Sequence, residues 1–334
     1  MKIAIHHAPG SFSDRWIAYC DKHNINYKIV NCYSTDIIEQ LDDCDAMMWH
    51  HNHGKYKDVL FAKQLIFAVQ QSGKKTFPDF KTCWHFDDKV GQKYLLESIG
   101  APLVPSYVFY SKQEAEKWIG KTTFPKVFKL RGGAGSANVK LVKTAGQARR
   151  LVSKAFGNGF SQFDRIGNFK DRISKYRAGI IGFMEVVKGF GRLFIRTDYA
   201  KFRCPEKGYI YFQDFIPKNL FDIRIIVIAG KAFGIKRMVR KDDFRASGSG
   251  NILYKKEYFT HETVRLAFQL AGKLQSQSAA FDFVYDEAGN PMVIEVSYGF
   301  STEVYDPCEG YWDQSLLFHE GAFVPQNWMV ETLL

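Results

Sequence analysis

The sequence predicts an α/β protein, of the α+β kind, in which a small parallel sheet precedes a larger part built from hairpins and helices. The first eighty residues alternate short apolar runs with helical patterns in the order βαβαβ, which is typical of a parallel sheet. After Trp84 the pattern changes to pairs of strand-like runs joined by short turns, with amphipathic helices between them. The 334 residues, 46% of them hydrophobic, can bury cores in two or three lobes.

Three strands and three helices are predicted in the amino-terminal unit. The strands are "KIAIHH", "NYKIVN" and "DAMMWHH", and the helices are "DRWIAYCDKH", "IIEQLDD" and "DVLFAKQLIFAVQQSG". Parallel sheets bind ligands beyond the carboxyl ends of their strands, and histidines follow the first and third strands here. We therefore expect His6, His7, His50 and His53 to contact substrate. A metal site in "HHNH" is the alternative, but no cysteine or carboxylate lies at ligand spacing.

A glycine-rich hairpin is predicted next, after a helix that begins at Asp87 or Asp88 and ends at Gly100. In "FPKVFKLRGGAGSANVKLV" the lysine precedes the glycines, so the run is not a P-loop. It is not a dinucleotide fingerprint either, because the glycines open the strand-like run "NVKLV" and not a helix. Its flanks alternate like strands, and the glycines between them let backbone N–H groups approach an anion. Lys129 would add a cation beside this loop. An ordinary hairpin with a solvated lysine is the alternative.

The rest of the chain predicts further strands and helices of the same kind. A helix is expected over 147–156, followed by a basic segment and a strand in "YIYFQDFI". The run "FDIRIIVIAGKAFGIKRMVR" predicts two strands joined by a turn. The run "HETVRLAFQLAGKLQSQS" predicts an amphipathic helix with Thr260 as its N-cap.

Two carboxylates face each other in the hairpin predicted for "FDFVYDEAGNPMVIEVSY". If the hairpin is symmetric about its turn, Asp282 pairs with Glu295 at a Cβ separation of about 4.5–5.5 Å, where like charges are destabilising. A divalent cation would offset the repulsion, and Ser297 on the same face offers a further oxygen. A single shared proton, or a shifted register with both acids solvated, are the alternatives. The phosphate-type loop favours the cation, since magnesium accompanies bound phosphates.

Three arginines lie in or just beyond strands of the same predicted sheet: Arg224 in "DIR", Arg237 in "IKRMVR" and Arg245 in "DFRASGSGN". Guanidinium groups present planar, bidentate donors to phosphate or carboxylate. The glycines of the last motif, with Ser247 and Ser249, permit a loop that closes over an anion. We therefore expect an anionic substrate near the two carboxylates.

The formal net charge of +11 also predicts an anionic partner. Between Phe160 and Arg203 ten basic residues stand against four acidic ones, which suits a nucleotide, a phosphorylated sugar, nucleic acid or an anionic membrane surface. A solvated face is the alternative. Nucleic acid is not expected, because no recognised binding motif accompanies the charge. No secretory signal or membrane-spanning run is evident, so the expected location is cytoplasmic.

In order and spacing these motifs resemble the ATP-grasp superfamily, and within it the RimK-like carboxylate–amine ligases. The resemblance covers residues 87–300. It implies an ATP-grasp fold in three parts: a pre-ATP-grasp domain over 1–84, a central lobe with a glycine-rich lid and basic insertion over 85–210, and a carboxyl-terminal lobe over 211–334. The motifs that carry it are Lys89 in "FDDK", Lys129 with "RGGAGS", "YFQDFI", "DIR", Arg237, "DFRASGSGN", Asp282 and "IEVS".

The resemblance also implies an ATP site between two closing lobes. Lys89 and Lys129 would bind the α- and β-phosphates, and Asp282 and Glu295 would hold Mg²⁺, with Mn²⁺ as a substitute. Ser297 stands where the family usually has asparagine, which weakens the third metal ligand. The expected lid residues are Gly132, Gly133, Gly135 and Ser136, and the expected adenine-binding backbone is that of Gln213, Asp214, Phe215 and Ile216.

The implied reaction activates a carboxylate with ATP as an acylphosphate, which an amine captures to give an amide, ADP and phosphate. Arg237 is expected to stabilise the transition state, and Arg224 or Arg245 to bind the carboxylate or acylphosphate. A kinase that phosphorylates a hydroxyl and a non-catalytic module that binds ATP or polysaccharide are the alternatives. The amine must arrive uncharged, and the expected acceptors of its proton are His6, His7, His50 and Asp88.

The carboxylate motifs and the tail "EGYWDQSLLFHEGAFVP" resemble ATP-grasp proteins of bacterial surface-polysaccharide (capsule or O-antigen) synthesis. This resemblance implies an amide between an amino acid or other amine and a uronic acid, carried on a nucleotide-linked or lipid-linked sugar. The basic segment between Phe160 and Arg203 would receive that anionic acceptor, or contact the cytoplasmic face of the membrane peripherally.

Overall fold

The computed structural model describes residues 1–133, 138–161, 204–240 and 243–334, together with a few isolated positions between 162 and 203. Two of the expected lid residues, Gly135 and Ser136, lie outside the described residues. Most of the basic segment lies outside them as well, so its expected role in receiving an acceptor stays a prediction.

The amino-terminal sheet is parallel, as the sequence predicts, with the strand order β2-β1-β3-β4. The fourth strand was not predicted, and its pairing with β3 defines it. The strands are β1 (Lys2–His6), β2 (Asn26–Val30), β3 (Ala46–Met48) and β4 (Lys75–Phe77), and the helices are α1 (Phe12–Lys22), α2 (Ile37–Gln40) and α3 (Tyr56–Gln71).

A second sheet is antiparallel and contains the glycine-rich hairpin. Its order is β5-β8-β6-β7, and the pairing of Lys126 with Val142 confirms the predicted hairpin. The strands are β5 (Ser106–Phe109), β6 (Lys126–Lys129), β7 (Lys140–Val142) and β8 (Ile210–Asp214). The helices before and between them are α4 (Phe80–Cys83), α5 (Lys89–Ser98), α6 (Lys112–Ile119) and α7 (Ala145–Ala155).

A third sheet is antiparallel and has the order β13-β12-β9-β10-β14-β15, with β11 paired to β10. Its strands are β9 (Phe221–Ile228), β10 (Lys231–Met238), β11 (Ile252–Leu253), β12 (Ser278–Tyr285), β13 (Pro291–Ser297), β14 (Gly310–Asp313) and β15 (Phe318–Glu320). Helices α8 (His261–Leu274) and α9 (Pro325–Glu331) complete the fold. Thr260 caps α8 as predicted, since its side chain accepts a hydrogen bond from the N–H of Thr263.

The carboxylate hairpin has the predicted register from Ala280 to Asp282 and is shifted by one residue between Phe283 and the turn. Asp282 lies opposite Glu295, and a bulge follows between Asp282 and Phe283. On its other side β12 pairs with β9, where Asp282 lies opposite Arg224. The side chains of Glu295, Asp282 and Arg224 therefore lie in one row across three strands. The Asp282 carboxylate and the Arg224 guanidinium, which have opposite charges, are neighbours in this row.

The third sheet is packed on both faces, and this decides where its charged side chains go. Ile225 belongs to the core that includes Leu270 of α8, whereas Ile226 belongs to the core that includes Ile3 of β1. Side chains alternate along a strand, so Arg224 shares the face of Ile226. The charged row therefore faces the amino-terminal sheet. Among the described residues, no helix combines the length and apolar character needed to cross a bilayer.

Close strand packing at Gly234 of β10 holds Arg224 in place. A Cβ added at Gly234 would lie 2.7 Å from the carbonyl oxygen of Arg224 and 2.8 Å from Cδ1 of Ile225. We expect Gly234→Ala to destabilise the protein by about 1–3 kcal/mol, because the overpacked strand must shift. Urea-induced unfolding measures this loss of stability.

The matched control is Gly272→Ala in α8, where the added Cβ would have no atom within 4 Å apart from the adjacent backbone of its own helix. It should stabilise by about 0.5–1 kcal/mol, and equal effects of the two changes would contradict the packing argument.

Candidate active site

A cleft of about 1120 Å³ lies where the three sheets meet. The carboxyl ends of the amino-terminal strands contribute His50 and His53 to its wall. The second sheet contributes Lys129, and the charged row of the third sheet contributes Arg224 and Asp282. Most of the residues that the sequence singled out for phosphate, metal and substrate thus line one cavity.

Lys129 projects into this cleft from β6 and is buried. Its Nζ donates to Oε1 of Gln213 at 2.6 Å, and the Gln213 amide is oriented in turn by donating to Oγ of Ser106 at 3.0 Å. Burial lowers the pKa of the Lys129 ammonium to about 8. Burial removes water from the Lys129 ammonium, and its hydrogen bond to a neutral amide does not compensate the charge. A bound anion would compensate it, so Lys129 is well suited to bind an anion.

The segment after β8, from Gln213 to Ile216, lines the cleft beside Lys129. The N–H of Asp214 donates to the carbonyl of Pro105 at 2.8 Å, and its carboxylate pairs with Lys126 at 2.6 Å. Lys126 is therefore an ion-pair residue of the sheet. Since the Asp214 N–H is already bonded, Phe215 and Ile216 are the better candidates for backbone contacts to a base.

The start of α5 holds the base of the glycine-rich loop. The Nζ of Lys89 donates to the carbonyl of Gly133 at 2.8 Å, and Oδ1 of Asp87 accepts from the N–H of Gly133 at 2.8 Å. Asp87 adopts a left-handed backbone with φ of 55°, a conformation that costs energy for a non-glycine residue. Asp88 pairs with Arg131 at 2.5 Å. The loop base is thus anchored by three consecutive residues of the "FDDK" motif.

A chain of buried charges occupies the floor of the cleft. Arg237 donates to both oxygens of Asp222, at 2.6 and 2.8 Å, and its Nη2 lies 3.0 Å from Oδ2 of Asp282. Arg224 binds Asp282 through both Nε and Nη2, the latter at 2.7 Å. Burial alone would raise the pKa of Asp282, but the two guanidinium groups outweigh burial and hold that pKa well below its usual range. Asp282 is therefore ionised.

Glu295 faces Asp282 and is stabilised from the other side. Its Oε1 lies 3.6 Å from Nζ of Lys89, and its side chain is 28% exposed. Arginines beside Asp282 and a lysine beside Glu295 together offset the repulsion between the two carboxylates. This arrangement argues against a single shared proton, because the low pKa of Asp282 keeps that carboxylate ionised next to its two guanidinium partners.

The donor set of this hairpin fits a magnesium ion that arrives with a nucleotide. Magnesium sites usually combine one or two carboxylates with waters and substrate phosphates, and Asp282 and Glu295 supply the two carboxylates. Ser297 contributes less, because its Oγ already accepts from the N–H of Gly299 at 3.2 Å. Within the part of the chain that the structure describes, no group of three or more His, Cys, Asp or Glu side chains is placed to hold a metal by itself.

The third arginine, Arg245, also lines the cleft, with Ser247 and Ser249. Its Nη2 lies 2.7 Å from Oδ2 of Asp243. This ion pair is more accessible, and therefore weaker, than the buried ion pairs of Arg224 and Arg237. The carbonyl of Ser247 accepts from Nη2 of Arg240 at 2.8 Å, which fixes this loop to the end of β10.

The structure separates the predicted histidines. His50 and His53 line the cleft, whereas His6 and His7 do not. His6 points to the opposite side of the sheet, where its Nδ1 accepts from the N–H of Cys32 at 3.0 Å, and His7 is exposed and bonds Asp14. Side chains alternate at the strand end, which turns His6 away from the cleft, and the expected contact of these two histidines with substrate stays a prediction. Asp88 and Gly132 line a neighbouring cavity of about 400 Å³ and not the cleft itself.

Two functional candidates were missed from sequence. Asp222 lies two residues before Arg224, on the same face of β9, and binds Arg237 from an adjacent strand. Because side chains alternate along a strand, the first and third residues of "DIR" share a face, and this pattern indicates Asp222 as a neighbour of Arg224. Asp87 gave no comparable signal, because its link to Gly133 spans 46 residues.

The comparisons agree with this architecture. Residues 197–307, a third of the chain, match the RimK-like ATP-grasp domain. The structure resembles that of a RimK domain ATP-grasp protein from Sphaerobacter thermophilus over 100% of this chain and 99% of the other, with a TM-score of 0.56 and 13% identity. The protein has an ATP-grasp fold. The predicted fold class, an ATP-grasp fold with a parallel amino-terminal sheet, is therefore confirmed.

Two further structures share the ATP-grasp fold with this chain at 13% identity. One is D-alanine–D-alanine ligase from Bacillus anthracis complexed with ATP, with a TM-score of 0.54 over 92% of this chain and 91% of the other. The second is the biotin carboxylase domain of 2-oxoglutarate carboxylase from Hydrogenobacter thermophilus with MgADP and bicarbonate, with a TM-score of 0.58 over 98% and 68%. Comparison with curated protein sequences gives no match. None of these proteins is named for surface-polysaccharide synthesis, so that association stays a prediction.

Proposed function

We propose that this ATP-grasp protein is an ATP-dependent ligase that joins a carboxylate to an amine. The observation that carries the proposal is the convergence, in one cleft, of Lys89 and Lys129 with Arg237, Asp282 and Glu295. Phosphoryl transfer is catalysed mainly by positioning and by compensating the charge of the phosphates, and this set supplies both. The ATP-bound ligase and the MgADP-bound carboxylase that share the fold support the same interpretation.

The nucleotide would lie between the second and third sheets. Lys89 and Lys129 would bind its phosphates under the glycine-rich loop, and the backbone after β8 would contact the adenine. Asp282 and Glu295 would hold Mg²⁺, or Mn²⁺ in its place, which when bound compensates the charge of the phosphates. To reach the phosphates, Lys89 must exchange its bond to the Gly133 carbonyl for a phosphate oxygen.

The chemistry proceeds in two displacements. An oxygen of the substrate carboxylate attacks the γ-phosphorus of ATP, the bond to the β-phosphate oxygen breaks, and ADP leaves. The nitrogen of the uncharged amine then attacks the acyl carbon of the acylphosphate, phosphate leaves with the C–O electron pair, and the proton lost by the nitrogen ends on the leaving phosphate. Arg237 is held by Asp222 and Asp282 with its guanidinium in the cleft, where it would stabilise the charge on the transferring group. Arg224 or Arg245 would bind the substrate carboxylate or the acylphosphate.

The substrates are proposed on charge and chemistry. The +11 net charge favours an anionic acceptor, which would be a uronic acid on a nucleotide-linked or lipid-linked sugar of surface-polysaccharide synthesis, with an amino acid or amine as co-substrate. Peripheral contact with a membrane surface belongs to the same proposal, since an anionic leaflet attracts basic segments. A kinase that phosphorylates a hydroxyl is the second candidate, because the nucleotide half of the cleft would serve it equally.

Mass spectrometry of the products distinguishes these candidates. The protein is incubated with ATP, Mg²⁺, nucleotide-linked uronic acids and a pool of amino acids, and free phosphate is assayed in parallel. A ligase yields a product lighter than acid plus amine by one water, with free phosphate released. A product heavier by one phosphoryl group, without free phosphate, identifies a kinase. ATP binding with no product at all identifies a binding module and overturns the ligase proposal.

A further inference from the structure

His50 is held rigidly at the carboxyl end of the amino-terminal sheet. Its Nδ1 accepts a hydrogen bond from the backbone N–H of Phe12 at 3.1 Å, in the first turn of α1. Its ring stacks on that of Phe12, with centroids 3.7 Å apart and planes inclined by 5°. The edge of Tyr298 approaches from another side, at 6.3 Å between centroids. These contacts leave the imidazole a single orientation.

The bond from Phe12 also fixes the tautomer of His50. A ring nitrogen that accepts from a backbone N–H carries no hydrogen, and a neutral imidazole has one hydrogen, which must then be on Nε2. Burial, with smaller contributions from Lys55 and His53, lowers the pKa of His50 to about 3, so the ring is neutral near pH 7. His50 is therefore a donor at Nε2, and its one lone pair is already engaged.

The His50 ring lies in the wall of the cleft. No residue that the structure describes accepts a hydrogen bond from Nε2, although the ring lines the cleft. A Cβ added at Gly299 would lie 3.7 Å from Nε2, so the glycine leaves this space beside the nitrogen without a side chain of its own. The same part of the wall includes Ser11, Ser301 and Thr302. A ligand that displaces water from this part of the cleft must supply an acceptor for Nε2, because otherwise the donor is left unpaired.

We propose that His50 is a specificity-determining residue whose Nε2–H donates a hydrogen bond to an oxygen of the acid substrate. The inference rests on the proposed ligase function and adds to it the side chain that recognises the acid substrate. It also replaces the expectation that His50 accepts the amine proton, because the only basic nitrogen of the ring is blocked by Phe12. A site built around such a donor discriminates strongly against a substrate that lacks the oxygen, since the donor would then stay unpaired.

Nuclear magnetic resonance of ¹⁵N-histidine-labelled protein at pH 7.5 tests the tautomer and the contact. The His50 resonances are assigned by comparison with His50→Gln, and they should show hydrogen on Nε2 alone. A panel of sodium acetate, D-glucuronate, D-alanine and L-glutamate is then titrated in the presence of ATP and Mg²⁺. At least one acid should shift the Nε2 proton in a saturable way. Hydrogen on Nδ1, or a panel in which no acid moves the Nε2 signal, would overturn the proposal.

Two substitutions separate the donor role from a structural one. His50→Asn keeps an acceptor near the Nδ1 position for the Phe12 N–H but removes the distal donor, whereas His50→Gln keeps a donor near the Nε2 position. We expect His50→Asn to weaken binding of the acid that shifts Nε2 by about 10- to 100-fold, and His50→Gln to weaken it by no more than about 3-fold. ATP affinity should be unchanged in both variants.

The reverse order, with His50→Asn benign and His50→Gln harmful, would show that His50 only supports α1 and would sink the inference. Thermal unfolding of both variants provides the stability control. Loss of the Phe12 contact lowers Tm but does not change which oxygen of the acid substrate accepts the hydrogen bond. If no amide product forms, yet the tautomer and the acid-induced shift are as expected, the ligase proposal fails and the role of His50 as an oxygen donor stands.

Discussion

Replacing Asp282 by asparagine should lower the free energy of unfolding by about 3–5 kcal/mol, the cost of removing one partner from a buried ion pair. The carboxylate is only 7% exposed and neutralises guanidinium groups of both Arg224 and Arg237. Arg237 keeps Asp222, but Arg224 loses its carboxylate partner. The rate of amide formation should fall by at least about 100-fold, since Arg237 and the proposed metal ligand are both disturbed. Denaturant unfolding and product formation measure the two effects.

Acid should reduce the stability difference between wild type and Asp282→Asn. The folded pKa of Asp282 is depressed, so its stabilising contribution is complete above the ordinary carboxyl pKa and is lost as the pH falls toward the folded value. The matched control is Glu287→Gln in the turn of the same hairpin, where a highly exposed carboxylate lies 3.7 Å from Lys218. That change should stay within about 0.5 kcal/mol.

The double variant Asp282→Asn with Arg224→Met should recover at least about 1 kcal/mol of the lost stability, because it removes the guanidinium that the single change leaves uncompensated. Turnover should not recover. If the two losses simply add, the buried charge chain is not coupled in the way that the contacts indicate.

Replacing Lys129 by methionine should weaken ATP binding by about 10- to 100-fold, the loss expected for one charge-assisted hydrogen bond to phosphate. A second readout comes from the pKa of about 8, since wild-type Lys129 is only partly protonated at pH 8. A bound phosphate raises that pKa, so ATP binding at pH 8 should take up about half a proton. Calorimetry in buffers of different ionisation enthalpy measures the uptake, which Lys129→Met should lack.

The same lysine leads to a stability prediction with a definite sign. Its folded pKa lies below the ordinary value of 10.5, so between about pH 8 and 10.5 the unfolded chain binds more protons and stability rises with pH. This rise should be smaller in Lys129→Met. Lys140→Met, an exposed change on the neighbouring strand β7, should retain both the rise and the proton uptake. Identical behaviour of the two variants would place Lys129 outside the nucleotide site.

Local patterns were sufficient for much of the fold. The amino-terminal β-α alternation, the cap of α8 at Thr260 and the pairing of Asp282 with Glu295 each depend on residues close in sequence, within one helix turn or one hairpin. The pairs next to the turn of "DEAGN" are one residue off the symmetric register, and the bulge after Asp282 brings the two carboxylates opposite each other.

The sequence by itself determined that phosphate-type lysines, arginines and facing carboxylates occur in an order that matches ATP-grasp proteins. Only the tertiary structure decided which charges neutralise which, because the pairing of β12 with β9 joins Asp282 to a residue 58 positions away. It likewise decided that His50 and not His6 reaches the cleft. Contacts between distant segments are set by how the sheets pack, and a local pattern fixes the face of a side chain without fixing what that face meets.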